Sequence, residues 1–264
     1  MKALEFQAPA VQLFDVRIHA VTMQTALQII DHAVTRRERL QIGVVNAAKL
    51  ANMARSQALR DDVNASDLIL ADGIAVVWSS RILGRPLPER VTGIDLMMRI
   101  LENGNSRGYS VYCLGATEEV SKAVAEKIRK LFPKIRIAGR HDGYFSESEE
   151  PALVERIAAA RADVLFVAMT SPQKETFMAR WIDELAVPVC HGVGGSFDVL
   201  AGKVERAPAI WQRMGLEWLY RLKQEPGRLW RRYLTTNTIF CAMVVSELWR
   251  QLTGSAARKS RHST

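Results

Sequence analysis

The residues of this chain best suited to acid–base chemistry are short polar side chains that follow apolar, β-branched runs. Asp72 and Gly73 follow the run at residues 68–70, and Asn46 follows the run at residues 42–45. A carboxylate at the end of a strand, facing a cleft, can act as a general base. The same Asp-Gly step also serves as an ordinary turn or helix N-cap. Asn46 likewise has two interpretations, as a hydrogen-bonding group for substrate or as a turn residue.

Glycines and an amide occupy similar positions further along the chain. Gly194 and Gly195 lie in the segment GVGG after the apolar run at residues 187–190, and backbone amides in such a loop can hold a phosphate. The segment lacks the third glycine of a dinucleotide fingerprint, which disfavours NAD. Gln173 lies in the segment SPQKE. This segment is either an ordinary helix start, or its backbone amides and Gln173 bind the edge of a sugar or uracil.

Basic residues are concentrated in the last quarter of the chain. Residues 203–264 contain 12 Lys and Arg against 4 Asp and Glu, whereas residues 1–202 contain 24 of each. The net charge of +8 therefore resides in the tail, which also holds four of the six tryptophans. This composition suits a nucleic acid, an anionic membrane surface or an anionic small molecule such as a diphosphate.

Individual arginines offer sharper candidates for anion binding. Arg228, Arg231 and Arg232 are spaced to share one helical face, and clustered guanidinium groups suit a phosphate-rich ligand. The alternative is a surface helix with its arginines in water. Arg90, in the loop at residues 86–95, can clamp an anionic group or be an ordinary solvated arginine.

The elements that must position these groups alternate between strand and helix. Apolar runs at residues 42–45, 68–70, 110–114, 164–168 and 187–190 each precede a polar or glycine turn, and helical periodicity follows most of them. Repeated strand–turn–helix units predict an α/β fold with a parallel sheet covered by helices on both faces. Ligands bind such sheets at the carboxyl ends of the strands, where the candidate groups are expected to lie.

The basic tail is predicted to be a separate helical unit. Apolar side chains at helical spacing predict one amphipathic helix over residues 211–222, and Pro226 interrupts it before a second helix. The predicted division is a core of residues 1–202 and a C-terminal helical appendage of residues 203–264.

Composition limits the class of protein. With 48% hydrophobic residues, the 264-residue chain is long enough for one large core. Residues 1–10 carry no apolar signal region, and no stretch reaches the roughly 20 apolar residues of a membrane span, so a cytoplasmic location is expected. Cys113, Cys190 and Cys241 stand singly among apolar residues and are predicted to be buried thiols rather than metal ligands.

A series of short motifs follows one order along the chain. They are residues 71–73 (ADG), 90–95 (RVTGID), 143–145 (GYF), 171–175 (SPQKE), 192–198 (GVGGSFD), 201–202 (AG), 206–208 (RAP), 216–222 (LEWLYRL) and 225–226 (EP), followed by Arg228. In this order, over about residues 15–235, the chain resembles the WecG/TagA/CpsF family of bacterial glycosyltransferases.

The resemblance implies an inverting enzyme that needs no metal ion and no cofactor. Such an enzyme moves a sugar from a UDP-sugar, of glucose or N-acetylmannosamine type, to a saccharide on a polyprenyl diphosphate. It works at the cytoplasmic face of the inner membrane, in the synthesis of exopolysaccharide or another cell-surface polysaccharide. The implied fold is a Rossmann-like core with a C-terminal appendage that completes the active site and contacts the membrane.

The resemblance also assigns roles to residues. Asp72 matches the family's proposed catalytic base, and Asn46 and Gln173 match pocket residues near the two sugars. One departure is Val44, which stands where some members carry a threonine. The other predicted substrate-binding residues are the loop glycines and the arginines of the core loop and tail, namely Gly194, Gly195, Arg90, Arg206, Arg221, Arg228 and Arg231. The resemblance assigns the last three of these to the donor diphosphate.

Two other classes of protein are alternatives. A nucleic-acid-binding protein using the basic tail would lose affinity steeply with salt, and a soluble nucleotide-sugar enzyme would need no lipid acceptor. The resemblance predicts no nucleic-acid partner and leaves a homo-oligomer open.

Overall fold

The computed structural model folds into a small hairpin followed by a six-stranded parallel sheet. The structure describes residues 1–260, without the side chains of Ala209, Arg213, Arg228 and residues 254–260. The hairpin pairs β1 (Ala10–Leu13) with β2 (Val16–His19). The sheet contains β3 (Leu40–Val45), β4 (Leu68–Ala71), β5 (Ser110–Gly115), β6 (Arg136–His141), β7 (Val164–Ala168) and β8 (Val189–Gly192), in the spatial order β4-β3-β8-β7-β5-β6. The predicted α/β class is confirmed.

Helices connect the strands. They are α1 (Met23–Arg36), α2 (Ala47–Arg55), α3 (Gln57–Asn64), α4 (Ile74–Ile82), α5 (Gly93–Arg107), α6 (Glu118–Leu131), α7 (Glu150–Ala159), α8 (Gln173–Trp181) and α9 (Ser196–Ala201). The helical segment after β3 consists of two helices, because Ser56 ends α2 and its hydroxyl accepts a hydrogen bond from Leu59 N, which caps α3.

Both faces of the sheet are covered, as the sequence predicts. Val164 and Phe166 of β7 join a buried cluster with α1, α5 and α6, whereas Leu165 and Val167 join a cluster with α7 and α8. Successive side chains of a strand point to opposite faces, so continuous apolar strands require helices on both sides. The polar groups at the carboxyl ends of the strands are left accessible between these layers.

The basic tail forms three helices rather than two. They are α10 (Ala209–Arg213), α11 (Glu217–Gln224) and α12 (Pro226–Ser260). The prediction of one helix over residues 211–222 is wrong, because Gly215 adopts a left-handed conformation (φ 71°) that separates α10 from α11. A Cβ atom on Gly215 would lie 2.3 Å from Cγ2 of Ile74, so only glycine permits this approach to the core. Pro226 begins α12, in line with the predicted interruption.

Helix α12 runs back along the core. Phe240 is buried in the cluster formed by α2, α4 and the hairpin, and Met243 and Val244 pack against the same cluster. Nε2 of Gln251 donates to the carbonyl oxygen of Leu83, 3.4 Å away. The tail therefore shares a hydrophobic core with residues 1–202, and the boundary at residue 202 stays a prediction.

The cysteine and membrane expectations can be compared with the described residues. Cys113 and Cys190 are buried, as predicted, but the prediction is wrong for Cys241, which is exposed on α12. Within residues 1–260, no helix is both long enough and apolar enough to cross a membrane.

Candidate active site

Four neighbouring strands bring most of the predicted core residues to one edge of the sheet. Asp72 follows β4, Asn46 follows β3, and Gly194 and Gly195 follow β8. Gln173 begins α8 after β7. Because β4, β3, β8 and β7 are adjacent and parallel, these residues lie in consecutive positions along the carboxyl edge, where ligands bind α/β sheets.

Asp72 has hydrogen-bonding partners from two other segments. Its Oδ1 accepts from Gly93 N at 2.9 Å, and its Oδ2 accepts from Asn46 Nδ2 at 3.3 Å. Gly93 is the first residue of the 15-residue helix α5, whose N-terminus favours a negative charge. The N-cap interpretation does not hold for Asp72, since Gly73 occupies that position of α4 without any side-chain cap. The carboxylate is half-buried and oriented by both bonds.

Asn46 caps helix α2 and also contacts Asp72, and its predicted contact with substrate stays a prediction. Its Oδ1 accepts from Lys49 N at 3.0 Å and thereby caps α2, while its amide nitrogen contacts Asp72. Gly73 makes this contact possible, because a Cβ atom there would lie 3.0 Å from Asn46 Cβ. The side chain that begins α2 is therefore the one that orients the candidate base.

His191 on β8 is a residue that the sequence patterns do not identify. Its Nε2 lies 3.1 Å from the carbonyl oxygen of Gly93, the residue whose N–H contacts Asp72. Complete burial lowers the pKa of His191 to about 4, so the ring is neutral and Nε2–H donates to Gly93. The predicted strand ends at Cys190, and only its extension to Gly192 would have placed the imidazole beside the site.

Arg90 and Arg206 are bound to acidic or carbonyl groups at the junction of core and tail. Arg90 Nη1 lies 3.3 Å from Glu217 Oε2, and its Nη2 donates to the carbonyl oxygen of Gln212 at 3.3 Å. Arg206 Nη2 lies 2.6 Å from Asp95 Oδ1 and 4.0 Å from Glu217 Oε1. With its side chain only 17% exposed, Arg90 is not the solvated loop arginine of the alternative interpretation. Both arginines fasten α10 and α11 to the core.

The other tail arginines differ from these two. Arg221 and Arg231 are exposed, and neither is held by an acidic side chain within the described part of the chain. The guanidinium of Arg231 lies 5.3 Å from the ring centroid of Trp230, within reach of a cation–π contact. The side chain of Arg228 lies outside the described part of the structure. Within the described part of the chain, neither Arg221 nor Arg231 contacts Asp72.

The loop at Gly194 and the side chain of Gln173 are not enclosed by other residues. Gly194 has φ 51°, and a Cβ atom there would meet nothing within 4 Å. Gln173 is exposed and its Oε1 accepts from Thr170 Oγ1 at 2.8 Å. Neither contacts Asp72, so the structure brings these residues to the same edge without joining them.

A buried charged triad lies next to Gln173. Lys49 Nζ lies 2.7 Å from Glu175 Oε1, which Lys174 also contacts. Burial lowers the pKa of Lys174 to about 8, with a further lowering from Lys49 that Glu175 opposes. Burial raises the pKa of Glu175, but the two ammonium groups outweigh it and the net shift is downward. The triad joins α2 to α8, and thus the segment of Asn46 to that of Gln173.

Comparison with known proteins identifies the class to which this fold and site belong. Residues 11–254 match the model of the glycosyl transferase WecG/TagA/CpsF family. The chain therefore belongs to this family and is a glycosyltransferase, and the predicted resemblance is confirmed.

A particular relative is the N-acetylglucosaminyldiphosphoundecaprenol N-acetyl-beta-D-mannosaminyltransferase of Bacillus spizizenii. The two sequences are 37% identical over 203 residues, which cover 76% of this chain and 78% of the relative.

Proposed function

We propose that this enzyme transfers a sugar from a UDP-sugar to a saccharide on a polyprenyl diphosphate, in the synthesis of a cell-surface polysaccharide such as an exopolysaccharide. The acceptor class is supported by the relative, whose name specifies a diphosphoundecaprenol-linked N-acetylglucosamine. The same name makes N-acetylmannosamine the first sugar to test, ahead of glucose.

The observation that carries the proposal is the carboxylate of Asp72, held between Asn46 and Gly93 at the carboxyl edge of the sheet. In the proposed reaction, an acceptor hydroxyl attacks the anomeric carbon from the face opposite UDP. The new C–O bond forms as the bond to UDP breaks, and the hydroxyl proton passes to Asp72. A single displacement of this kind inverts the anomeric configuration.

The departing UDP gains negative charge, which the site must stabilise. We assign this role to Arg221, Arg228 and Arg231, because guanidinium groups pair well with diphosphate oxygens. The chain contains no D-x-D motif of the kind that binds a divalent metal in many glycosyltransferases. The proposed enzyme therefore works without a metal ion.

A lipid-linked acceptor places the enzyme at a membrane. We propose peripheral association with the cytoplasmic face of the inner membrane, through the exposed apolar side chains of the tail, among them Trp218, Trp230 and Leu234. The exposed arginines beside them complement anionic lipid.

The test incubates the purified full-length chain with a panel of UDP-sugars and a short-chain lipid diphosphate carrying N-acetylglucosamine, in buffer containing EDTA. The expected product is a lipid-linked disaccharide formed from UDP-N-acetylmannosamine, with the anomeric configuration inverted by NMR. Transfer to free N-acetylglucosamine at the same rate would favour a soluble enzyme without a lipid acceptor. No transfer from any donor, or transfer that requires added metal, would contradict the corresponding part of the proposal.

A further inference from the structure

Helix α4 carries an apolar row whose last two side chains are exposed. Ile74, Trp78 and Ile82 recur every four residues and so share one face of the helix. Trp78 is 52% exposed and Ile82 is 60% exposed, whereas Val76 and Val77 on the other side are buried. Two large apolar side chains in adjacent turns form a patch that the fold itself does not explain.

The row is continuous with the tail at both ends. At the start of α4, Ile74 touches Gly215, whose hypothetical Cβ would lie 2.3 Å away. At its end, Gln251 of α12 donates to the carbonyl oxygen of Leu83. Trp78 and Ile82 thus lie between two of the places where the tail contacts the core.

The tail is also apolar and exposed close to both contacts. The exposed side chains are those of Met214 and Trp218 near Gly215, and of Trp249 and Leu252 near Gln251. These side chains lie in the segments of the tail that contact the two ends of α4. We call the row on α4 itself the α4 face.

The accessible charge around the α4 face is positive. Arg81 is exposed between Trp78 and Ile82 in sequence, and Arg250 is exposed beside Trp249. The nearby carboxylate of Glu247 lies 3.4 Å from Arg85 and 3.5 Å from Arg250. Exposed tryptophan and aliphatic side chains bordered by arginine are the pattern of helices that lie in the interface of an anionic bilayer.

We propose that α4 is the membrane-contacting element of the catalytic core, with Trp78 and Ile82 entering the headgroup region of an anionic bilayer. This inference rests on the proposed function, because a lipid-linked acceptor is what brings the core to the membrane. Asp72 lies two residues before Ile74, so the carboxyl end of β4 lies at the start of the helix that contacts the lipid. An acceptor sugar on its diphosphate then reaches Asp72 without leaving the bilayer.

The test measures vesicle binding by the full-length chain. The variant Trp78→Gln/Ile82→Gln is compared with wild type by co-sedimentation with vesicles of phosphatidylglycerol and phosphatidylcholine. We expect its affinity to fall at least about tenfold, since two large apolar side chains no longer leave water. The matched control is Leu131→Gln on α6, an apolar residue 48% exposed outside the α4 face, whose substitution should leave the affinity unchanged.

A second variant tests the charge. Arg81→Gln should lower the affinity for the mixed vesicles about fivefold and leave binding to vesicles of phosphatidylcholine alone unchanged. Because Trp78, Arg81 and Ile82 are all exposed, the circular dichroism spectra and melting temperatures of the variants should match those of wild type.

Two results would overturn the proposal. One is wild-type vesicle affinity in the Trp78→Gln/Ile82→Gln variant. The other is a wild-type oligomer in lipid-free buffer that this variant dissociates in light scattering, since a second copy of the chain would then cover the face. A wild-type chain that transfers no sugar but shows the expected vesicle differences would contradict the proposed function and leave the α4 face intact.

Discussion

The candidate active site has two halves that differ in how far the fold fixes them. In the core half, Asp72 is half-buried and receives hydrogen bonds from Asn46 and Gly93. In the tail half, Arg221 and Arg231 extend into solvent. Preorganised polar groups lose little entropy when the reaction proceeds, whereas exposed arginines must first be ordered. The proposed base is therefore oriented by the fold, whereas the proposed diphosphate-binding arginines would have to be ordered on binding.

Arg90 and Arg206 stand between these halves. Their bonds to Glu217 and Asp95 fasten the tail to the core. Any anionic ligand that uses Arg90 must compete with the carboxylate of Glu217, so part of the positive charge of this region is already engaged in holding the tail in place.

The largest expected effect comes from the core half. Asp72→Asn keeps an oxygen that accepts from Gly93 N–H but removes the base, and turnover should fall about 10³-fold or more. UDP affinity measured by calorimetry should stay within a small factor of wild type. The control is Asp142→Asn, which changes an aspartate after β6 at the far edge of the sheet. Wild-type turnover in the Asp72 variant would end the base assignment.

The tail half should respond next. Arg231→Ala and Arg228→Ala are each expected to lower kcat/KM about 10²-fold, because each removes a charged contact to the departing diphosphate. Arg232→Ala is the matched control, since Arg232 is exposed beside Arg231 and stacks on Tyr233. If all three variants lose kcat/KM equally with a soluble short-chain acceptor, the tail contributes only its net positive charge and no specific contact to the diphosphate.

His191 tests whether the core half is as fixed as its contacts indicate. His191→Met keeps the volume but removes the side-chain donor to the Gly93 carbonyl, so Asp72 should lose part of its orientation and kcat should fall about tenfold. UDP affinity should not change. His191→Gln places an amide nitrogen near the former Nε2 position and should restore most of kcat. A loss of stability without any change in kcat would make His191 a purely structural residue.

Gly215 tests the attachment of the tail. Gly215→Ala would introduce both a strained positive φ and a clash with Ile74, and should destabilise the protein by about 1–3 kcal/mol, measured by thermal unfolding. Gly227→Ala is the control, since a Cβ atom there meets nothing within 4 Å. An unchanged melting temperature for Gly215→Ala would show that α10 and α11 do not depend on this contact.

The smallest expected effect concerns the triad beneath the core half. Burial holds the pKa of Lys174 at about 8 in the folded chain, against 10.5 for an ordinary lysine. Between these values the unfolded chain binds the proton that the folded chain has released, so the free energy of unfolding rises with pH, by at most about 1.4 kcal/mol per pH unit. Urea unfolding from pH 8 to 10 should show this slope, and Lys174→Met should reduce it. If the free energy of unfolding rises with pH equally steeply in the variant, the pH dependence comes from a group other than Lys174.

Truncation is a poor test of the tail. Deleting residues 203–264 would remove Phe240 from the cluster that it shares with α2 and α4, and loss of a buried aromatic side chain typically costs 3–5 kcal/mol. Lost activity would then reflect unfolding. The point variants above separate the two halves without opening the core.

Local patterns were sufficient for the architecture. Apolar runs followed by glycine or polar turns predict the parallel sheet, and the motif order predicts the family, which the match over residues 11–254 confirms. These features depend on residues close together in sequence. The helix break at Gly215 was missed, because its cause is Ile74, a residue of the core.

By itself, the sequence determined the α/β class, the carboxyl-edge positions of Asp72 and Asn46, and the concentration of basic charge in the tail. Only the tertiary structure decided that Gly93 donates to Asp72 and His191 contacts Gly93, that Glu217 engages Arg90, and that α12 shares the core. The physical reason is that strand order and helix packing bring together groups far apart in the chain, and a hydrogen bond depends on that geometry rather than on spacing along the sequence.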